Sequence, residues 1–158
     1  MTNEDFAARI LSVQGTLYRV TCTLLRDHAD REDAVQAAIE KAWRKRGLLR
    51  DETRWKPWVT RILVNECHTI LRRQKRETPV ETIPDAPAPE GADPDLYRFF
   101  TGLPDTLRLT MVLHYLEGYS IKEVARIQRI PASTVKSRLM RGREKMKENE
   151  HVKEALGE

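Results

Sequence analysis

The chain has 158 residues, with 28 Lys and Arg against 24 Asp and Glu, a formal charge of +4 and 6% aromatic residues. That length allows one or two small domains, and Leu-, Ala- and Arg-rich usage with few aromatics favours helices over sheets. No run of about 18 apolar residues exists and the first residues lack a signal-peptide pattern, so neither membrane insertion nor export is expected. Phe6, Ile10, Val13, Leu17, Val20 and Leu24 recur at helical spacing and predict a first helix ending near Asp27 and His28. Asp30 suits the N-cap of a second helix that runs to about Arg46, with Ala34, Val35, Ala38, Ile39, Ala42 and Trp43 apolar and Gly47 ending it. A polar connection over 48–53 leads to a third helix, where Pro57 fits the first turn. Trp58, Ile62, Asn65 and Ile70 fall near one face of it. The closing cluster Arg72, Arg73, Lys75, Arg76 reads equally as a solvated helix end favoured by the macrodipole. Trp55 and Trp58, with Arg54, Lys56 and Arg61, interleave aromatic and cationic side chains in a way that suits single-stranded nucleic acid. Trp58, inside an apolar stripe, is expected in the core. Trp55, beside a polar loop, is expected at the surface.

Charge divides the chain into blocks of +6 over 1–76, −6 over 77–95 and +4 over 96–158. The middle block has five prolines, no Lys or Arg and no helical period, which predicts a semi-extended acidic linker. Beyond it, Ser120 and Glu123 form the S-x-x-E pattern of a capping box, and Ile121, Val124 and Ala125 supply one apolar face. Pro131 removes a donor and pushes Ile130 out of the helical region, so the helix breaks there. A further helix follows, with Val135, Leu139, Gly142 and Met146 as its buried stripe. Its other faces carry Thr134, Lys136, Ser137, Arg138, Arg141, Arg143, Lys145 and Lys147. Nine Lys and Arg against two Glu over 119–147 would also be compatible with a solvated basic helix. Turn chemistry and one-sided charge occurring together favour a helix that enters a major groove. Cys22 and Cys67 sit apart in apolar surroundings and read as reduced core residues of a cytosolic protein. Cys67-His68 has no companion pair at ligand spacing, so no metal, cofactor or catalytic centre is expected.

The ordered series DAVQ…AW, then W-V-x-R-I-x-x-N, a Pro-rich tether, then LP…YLEGYS…TVKSR resembles the extracytoplasmic-function sigma factors of bacterial RNA polymerase. The resemblance covers about 5–76 and 96–148. It implies two small all-α domains: a region 2-like helical bundle over 1–76, the linker 77–95 and a region 4-like helix-turn-helix over 96–148. The tail 149–158 reads only as a frayed helix end. The segment 33–46 resembles the part that docks on the clamp coiled coil of core polymerase, with Asp33, Gln36, Ile39, Glu40 and Trp43 as contributors. The loop 48–54 and the helix after it resemble the part that captures the unstacked −10 strand, which implicates Arg54, Trp55, Lys56, Trp58, Arg61 and Asn65. The helix-turn-helix resembles the −35 reader, with Ser133, Thr134, Lys136, Ser137, Arg138, Arg141 and Arg143 at the DNA and its body on the polymerase flap. The implied partners are core RNA polymerase, promoter DNA and an anti-sigma factor; the implied location is cytoplasmic. Ala37 stands where the family usually has an acid, Thr69 where Asp is frequent, Arg129 at a turn position where Gly is usual and Ser133 where Gly is common. The alternative is a conventional helix-turn-helix regulator that binds duplex DNA without polymerase. That reading leaves the basic, aromatic N-terminal domain unexplained.

Overall fold

A computed structural model describes residues 1–77 and 93–157, and every regular element among them is helical. They form two compact units. The N-terminal unit is a bundle of α1 (Asn3–Leu24), α2 (His28–Lys45) and α3 (Trp55–Glu77). Thr2 opens α1 with a capping box: Asp5 N–H donates to Thr2 Oγ1 at 3.1 Å and Thr2 N–H to Asp5 Oδ2 at 3.3 Å. Phe6, Val13, Leu17 and Val20 then face inward, all buried.

Asp27, three residues ahead of the expected Asp30, caps α2 by accepting the Ala29 N–H at 3.0 Å. Asp30 lies in the first turn instead, where its carboxylate meets the Gln74 amide of α3. Gly47 does not end α2 in a left-handed cap. The helix tightens into a 3₁₀ turn over Arg46–Leu48, as helix ends often do. Ala34, Ala38 and Ala42, four residues apart and fully buried, give α2 a flat face on which α1 and α3 pack closely. The Lys41–Glu66 ion pair ties α2 to α3 outside that face. In α3 the inward stripe is Trp55, Val59, Leu63, Val64 and Cys67, so the stripe expected through Trp58, Ile62 and Ile70 is displaced to the half-buried flank.

The C-terminal unit holds α4 (Pro94–Gly102), α5 (Asp105–Met111), α6 (Ile121–Gln128), α7 (Ala132–Lys147) and α8 (Glu150–Ala155). Glu77 closes α3 and 93–95 open α4, which shortens the expected 77–95 linker at both ends; its remainder lies outside the described residues. Asp93 explains the second boundary, because its Oδ1 accepts the N–H groups of Asp95 and Leu96 at 3.0 and 3.3 Å while Pro94 fits the first helical position. The tail is also more than a frayed end. Asn149 caps α8, Val152 is fully buried, and His151 Nε2 lies 3.0 Å from Asp93 Oδ2. Arg108 closes the α4–α5 corner by donating to the carbonyls of Phe100, Thr101 and Leu103 at 3.2, 3.2 and 2.9 Å.

The seat of α7 on α5 is built from Val135, Leu139, Gly142 and Met146, the stripe expected from sequence, with Met111 fully buried beneath it. A Cβ on Gly142 would lie 2.7 Å from Met111 Cγ, nearer than side chains approach one another. Gly142→Ala should therefore destabilise the C-terminal unit despite the better helix propensity of Ala. Overpacking costs about 1–3 kcal/mol, against roughly 1 kcal/mol of propensity gained. Amide exchange resolved by segment should quicken in α5 and α7 and stay unchanged in α1 to α3.

Candidate nucleic-acid interface

Two helices and a three-residue turn make the first part of the candidate interface. Ser120 Oγ accepts the Glu123 N–H at 3.1 Å and Glu123 Oε1 accepts the Ser120 N–H at 2.9 Å, so α6 starts where the capping box predicts. The segment before it is shaped by a π-helical turn over Val112–Leu116 and by Gly118, whose φ is 77°. Tyr119 N–H donates to the Leu113 carbonyl at 3.0 Å. His114 Nδ1 lies 2.8 Å from the Tyr119 carbonyl, which requires the proton on Nδ1. At its other end α6 stops on Arg129, the one non-glycine residue with positive φ among those described (φ 57°, ψ 45°). That conformation costs a residue with a Cβ about 1–2 kcal/mol. The adjoining Ile130 N–H recovers part of it by donating to the Ala125 carbonyl at 3.0 Å. Arg129 thus takes the left-handed conformation that Gly would adopt more easily, and the turn still closes.

With the stripe of α7 turned inward, helical geometry places Ser133 and Ser137 outward near its start, with cations on either side. Lys136 and Arg143 follow one flank, Arg138 and Arg141 the other. Ser133, Lys136 and Arg141 are exposed, whereas Thr134, Ser137, Arg138 and Arg143 are half-buried. Arg143 is held back by donating to the Tyr115 hydroxyl at 3.3 Å. The arrangement is a narrow polar edge between two positive rims, which matches a base-edge reader flanked by phosphates.

The N-terminal unit reverses one expectation. Trp55, expected at the surface, is 5% exposed. Its Nε1–H donates to the Arg9 carbonyl at 3.3 Å, and its ring meets Phe6 edge-on with centroids 5.5 Å apart. Trp58, expected in the core, is the more accessible of the two and lies tilted against Trp55 at 5.6 Å. The cause is register: Trp55 begins the four-residue series Trp55, Val59, Leu63, Cys67, and Phe6 of α1 waits opposite it. Arg54 and Lys56 are exposed, and Arg61 and Asn65 are half-buried beside Trp58 on α3. Arg54 Nε also lies 3.5 Å from Asp51 Oδ2. Hydrogen bonds from the Thr53 side chain and N–H hold the Asp51 carboxyl below its ordinary range.

A polar face of α2 completes the inventory. Asp33, Gln36 and Glu40 are exposed on the side opposite Ala34, Ala38 and Ala42. Ile39 and Trp43 are half-buried at its margin. Trp43 is fixed there: Phe6 packs edge-on at 5.1 Å, and the Arg46 guanidinium stacks 3.5 Å from the ring centre. Cys67 is fully buried, and burial pushes its thiol up to about 12, with the Glu66 carboxylate adding to the effect. A buried thiol with that value is a poor nucleophile near neutrality.

Comparison with known proteins covers both units. The family model described as Sigma-70 region 2 matches residues 10–77, and that described as Sigma-70, region 4 matches 95–146. RNA polymerase sigma factor CarQ of Myxococcus xanthus is 32% identical over 155 residues, covering 92% of this chain and 87% of that protein. The ECF RNA polymerase sigma factor SigM of Mycobacterium tuberculosis is 33% identical over 135 residues, covering 82% and 69%. Among solved structures, the sigma factor RpoE of Bartonella quintana, crystallised with the anti-sigma factor NepR, superposes with a TM-score of 0.79 at 28% identity over 92% of this chain and 96% of that one.

The thiols offer a direct check on the N-terminal core. Under brief treatment of the native chain with an alkylating reagent at neutral pH, Cys67 should stay unmodified. Cys22, half-buried with its thiol also raised by burial, should react first but more slowly than a free thiol. Both should react at once in denaturant. Early modification of Cys67, read by peptide mass spectrometry, would contradict its placement.

Proposed function

The chain belongs to the extracytoplasmic-function subfamily of the sigma-70 RNA polymerase sigma factors, and on that premise we propose how its residues divide the work of initiation. As a sigma factor it binds core RNA polymerase, directs it to specific promoters and helps open the DNA. The observation that carries the residue-level reading is α7, whose buried apolar stripe lies on one side while cations run along both flanks and Met140 is the one large apolar side chain exposed on it. In this reading Ser133, Thr134, Lys136, Ser137, Arg138, Arg141 and Arg143 meet the −35 duplex, the rims on phosphate and the outward turn at base edges.

Arg54, Lys56, Trp58, Arg61 and Asn65 receive the −10 strand, with Trp55 supporting them from the core rather than stacking on a base. Separating the strands costs base stacking, and an accessible tryptophan among cations recovers some of it. Asp33, Gln36 and Glu40 dock on the clamp coiled coil, supported by Ile39 and Trp43, while the body of the C-terminal unit docks on the flap. Region 2 then corresponds to α1 to α3 and region 4 to the helices from α4 onward. An anti-sigma factor is the natural regulatory partner, as the Bartonella complex illustrates for its own sigma factor. The chain catalyses no reaction of its own and acts in the cytoplasm, where polymerase works. Among the described residues no helix is long and apolar enough to cross a membrane.

A tether of the acidic, Pro-rich composition predicted for 77–95 would not hold two small readers at a fixed spacing, so polymerase must supply it. The free chain should therefore bind matched and scrambled promoter duplexes almost alike, and the matched promoter should win only when core enzyme is added at the same salt. Tight sequence-specific duplex binding by the chain alone, unchanged by polymerase, would instead identify a conventional regulator. Within the holoenzyme, Arg138→Ala or Arg141→Ala should each cost about 1–3 kcal/mol of −35 recognition if the side chain makes a bidentate base contact. Core binding should be unaffected. Full transcription by both variants from a −35-dependent promoter would mean that another face of α7 meets DNA.

A further inference from the structure

We propose that Arg9 is a positioning residue for promoter opening: it clasps the 46–54 loop to α1 and thereby fixes the start of α3, where the unstacked strand is received. The role rests on the −10 reading given above. Arg9 Nη2 donates to Glu52 Oε2 at 2.9 Å and Nη1 to the Glu52 backbone carbonyl at 3.2 Å. The Arg9 carbonyl in turn accepts Trp55 Nε1–H at 3.3 Å, and the guanidinium lies 6.0 Å from the Trp55 ring. One residue of α1 thus holds two successive points of a segment 43 to 46 positions later in the chain.

Local bonds shape the loop without attaching it to the bundle. Thr53 N–H and Oγ1 donate to Asp51 Oδ1 at 3.0 and 2.5 Å, and Arg54 N–H donates to the Asp51 carbonyl at 3.1 Å. The clasp is what converts that shape into a position. Arg54 and Lys56 stand on either side of Trp55, so the seat of Glu52 and Trp55 decides where both cations begin. A planar fork suits the task, since it engages a carboxylate and a carbonyl of one residue together, as the point charge of a lysine does not. Arg9 and Glu52 are both partly exposed, at 29% and 55% of their side chains, and such a pair adds little to the stability of a whole domain. The seat of a loop is a local equilibrium, however, and the same contact sets its population directly.

The test uses holoenzyme assembled from the full chain and core polymerase, with single strands that the wild-type holoenzyme selects from a random pool and scrambled strands as control. Arg9→Ala should lower affinity for selected strands by about threefold to tenfold and leave scrambled strands and core binding unchanged. Arg9→Lys should recover part of the loss, and Glu52→Gln, which keeps the carbonyl contact, should lose less. Amide exchange over 46–54 should quicken in Arg9→Ala while α2 and the C-terminal unit keep their wild-type rates. Wild-type discrimination in Arg9→Ala, or faster exchange spreading through α2, would overturn the positioning role. A wild-type holoenzyme that selects no strand would overturn the −10 reading and the role with it. That failure is distinguishable because it precedes any substitution.

Discussion

The buried seam between α7 and α5 determines which way the cations of the C-terminal unit face. A helix carrying this many Lys and Arg cannot turn its charged sides inward, because burying an unpaired charge is prohibitive. The alternative is a single apolar stripe narrow enough to leave the remaining surface to solvent. Gly142 makes the stripe work: without a Cβ it lets α7 close on Met111, and contact along Val135, Leu139 and Met146 then fixes the rotation of the helix. Once rotation is fixed, Ser133 and Ser137 point outward and the cations fall into two rims. The outward geometry of α7 therefore follows from packing on the opposite side of the helix.

The N-terminal unit solves a similar problem with different means. Three alanines on α2 bring the helices close on one side, and the polar face of Asp33, Gln36 and Glu40 results on the other. Phe6 links this packing to the aromatic residues around it. Its ring meets Trp43 at 5.1 Å and Trp55 at 5.5 Å, both edge-on, so one side chain of α1 braces the end of α2 and the start of α3. The loop between those elements inherits its endpoints from that contact. Trp58, left at the margin, keeps an accessible face because Trp55 occupies the core position ahead of it.

Polar side chains settle the boundaries. Thr2, Asp27, Asp93, Ser120 and Asn149 each accept a backbone N–H at the start of a helix, and Arg108 satisfies three carbonyls at the end of α4. Unmade hydrogen bonds at helix ends cost enough that a short helix such as α4 depends on its caps as much as on its core. The His151–Asp93 contact joins the last helix of the unit to the first by the same residue that caps α4. The tail, which carries little apolar pattern, becomes part of the fold through that contact and through Val152.

Local rules determined much of this protein in advance. The capping box at Ser120, the break at Pro131 and the stripe of α7 depend on neighbours within one or two turns, and each appears where the sequence puts it. So do the helical class and the division into two small helical units. Other features depend on residues far apart in the chain, and only the tertiary structure decided them. Asp27 and Asp30 are both adequate caps in isolation; Gln74, more than forty positions away, holds Asp30 within the helix. Trp55 and Trp58 are both tryptophans at the start of an amphipathic helix, and Phe6 selects the first for the core. Helical periodicity specifies which residues share a face. It does not specify which of two adjacent faces finds a partner, because that depends on the surface another helix brings to it.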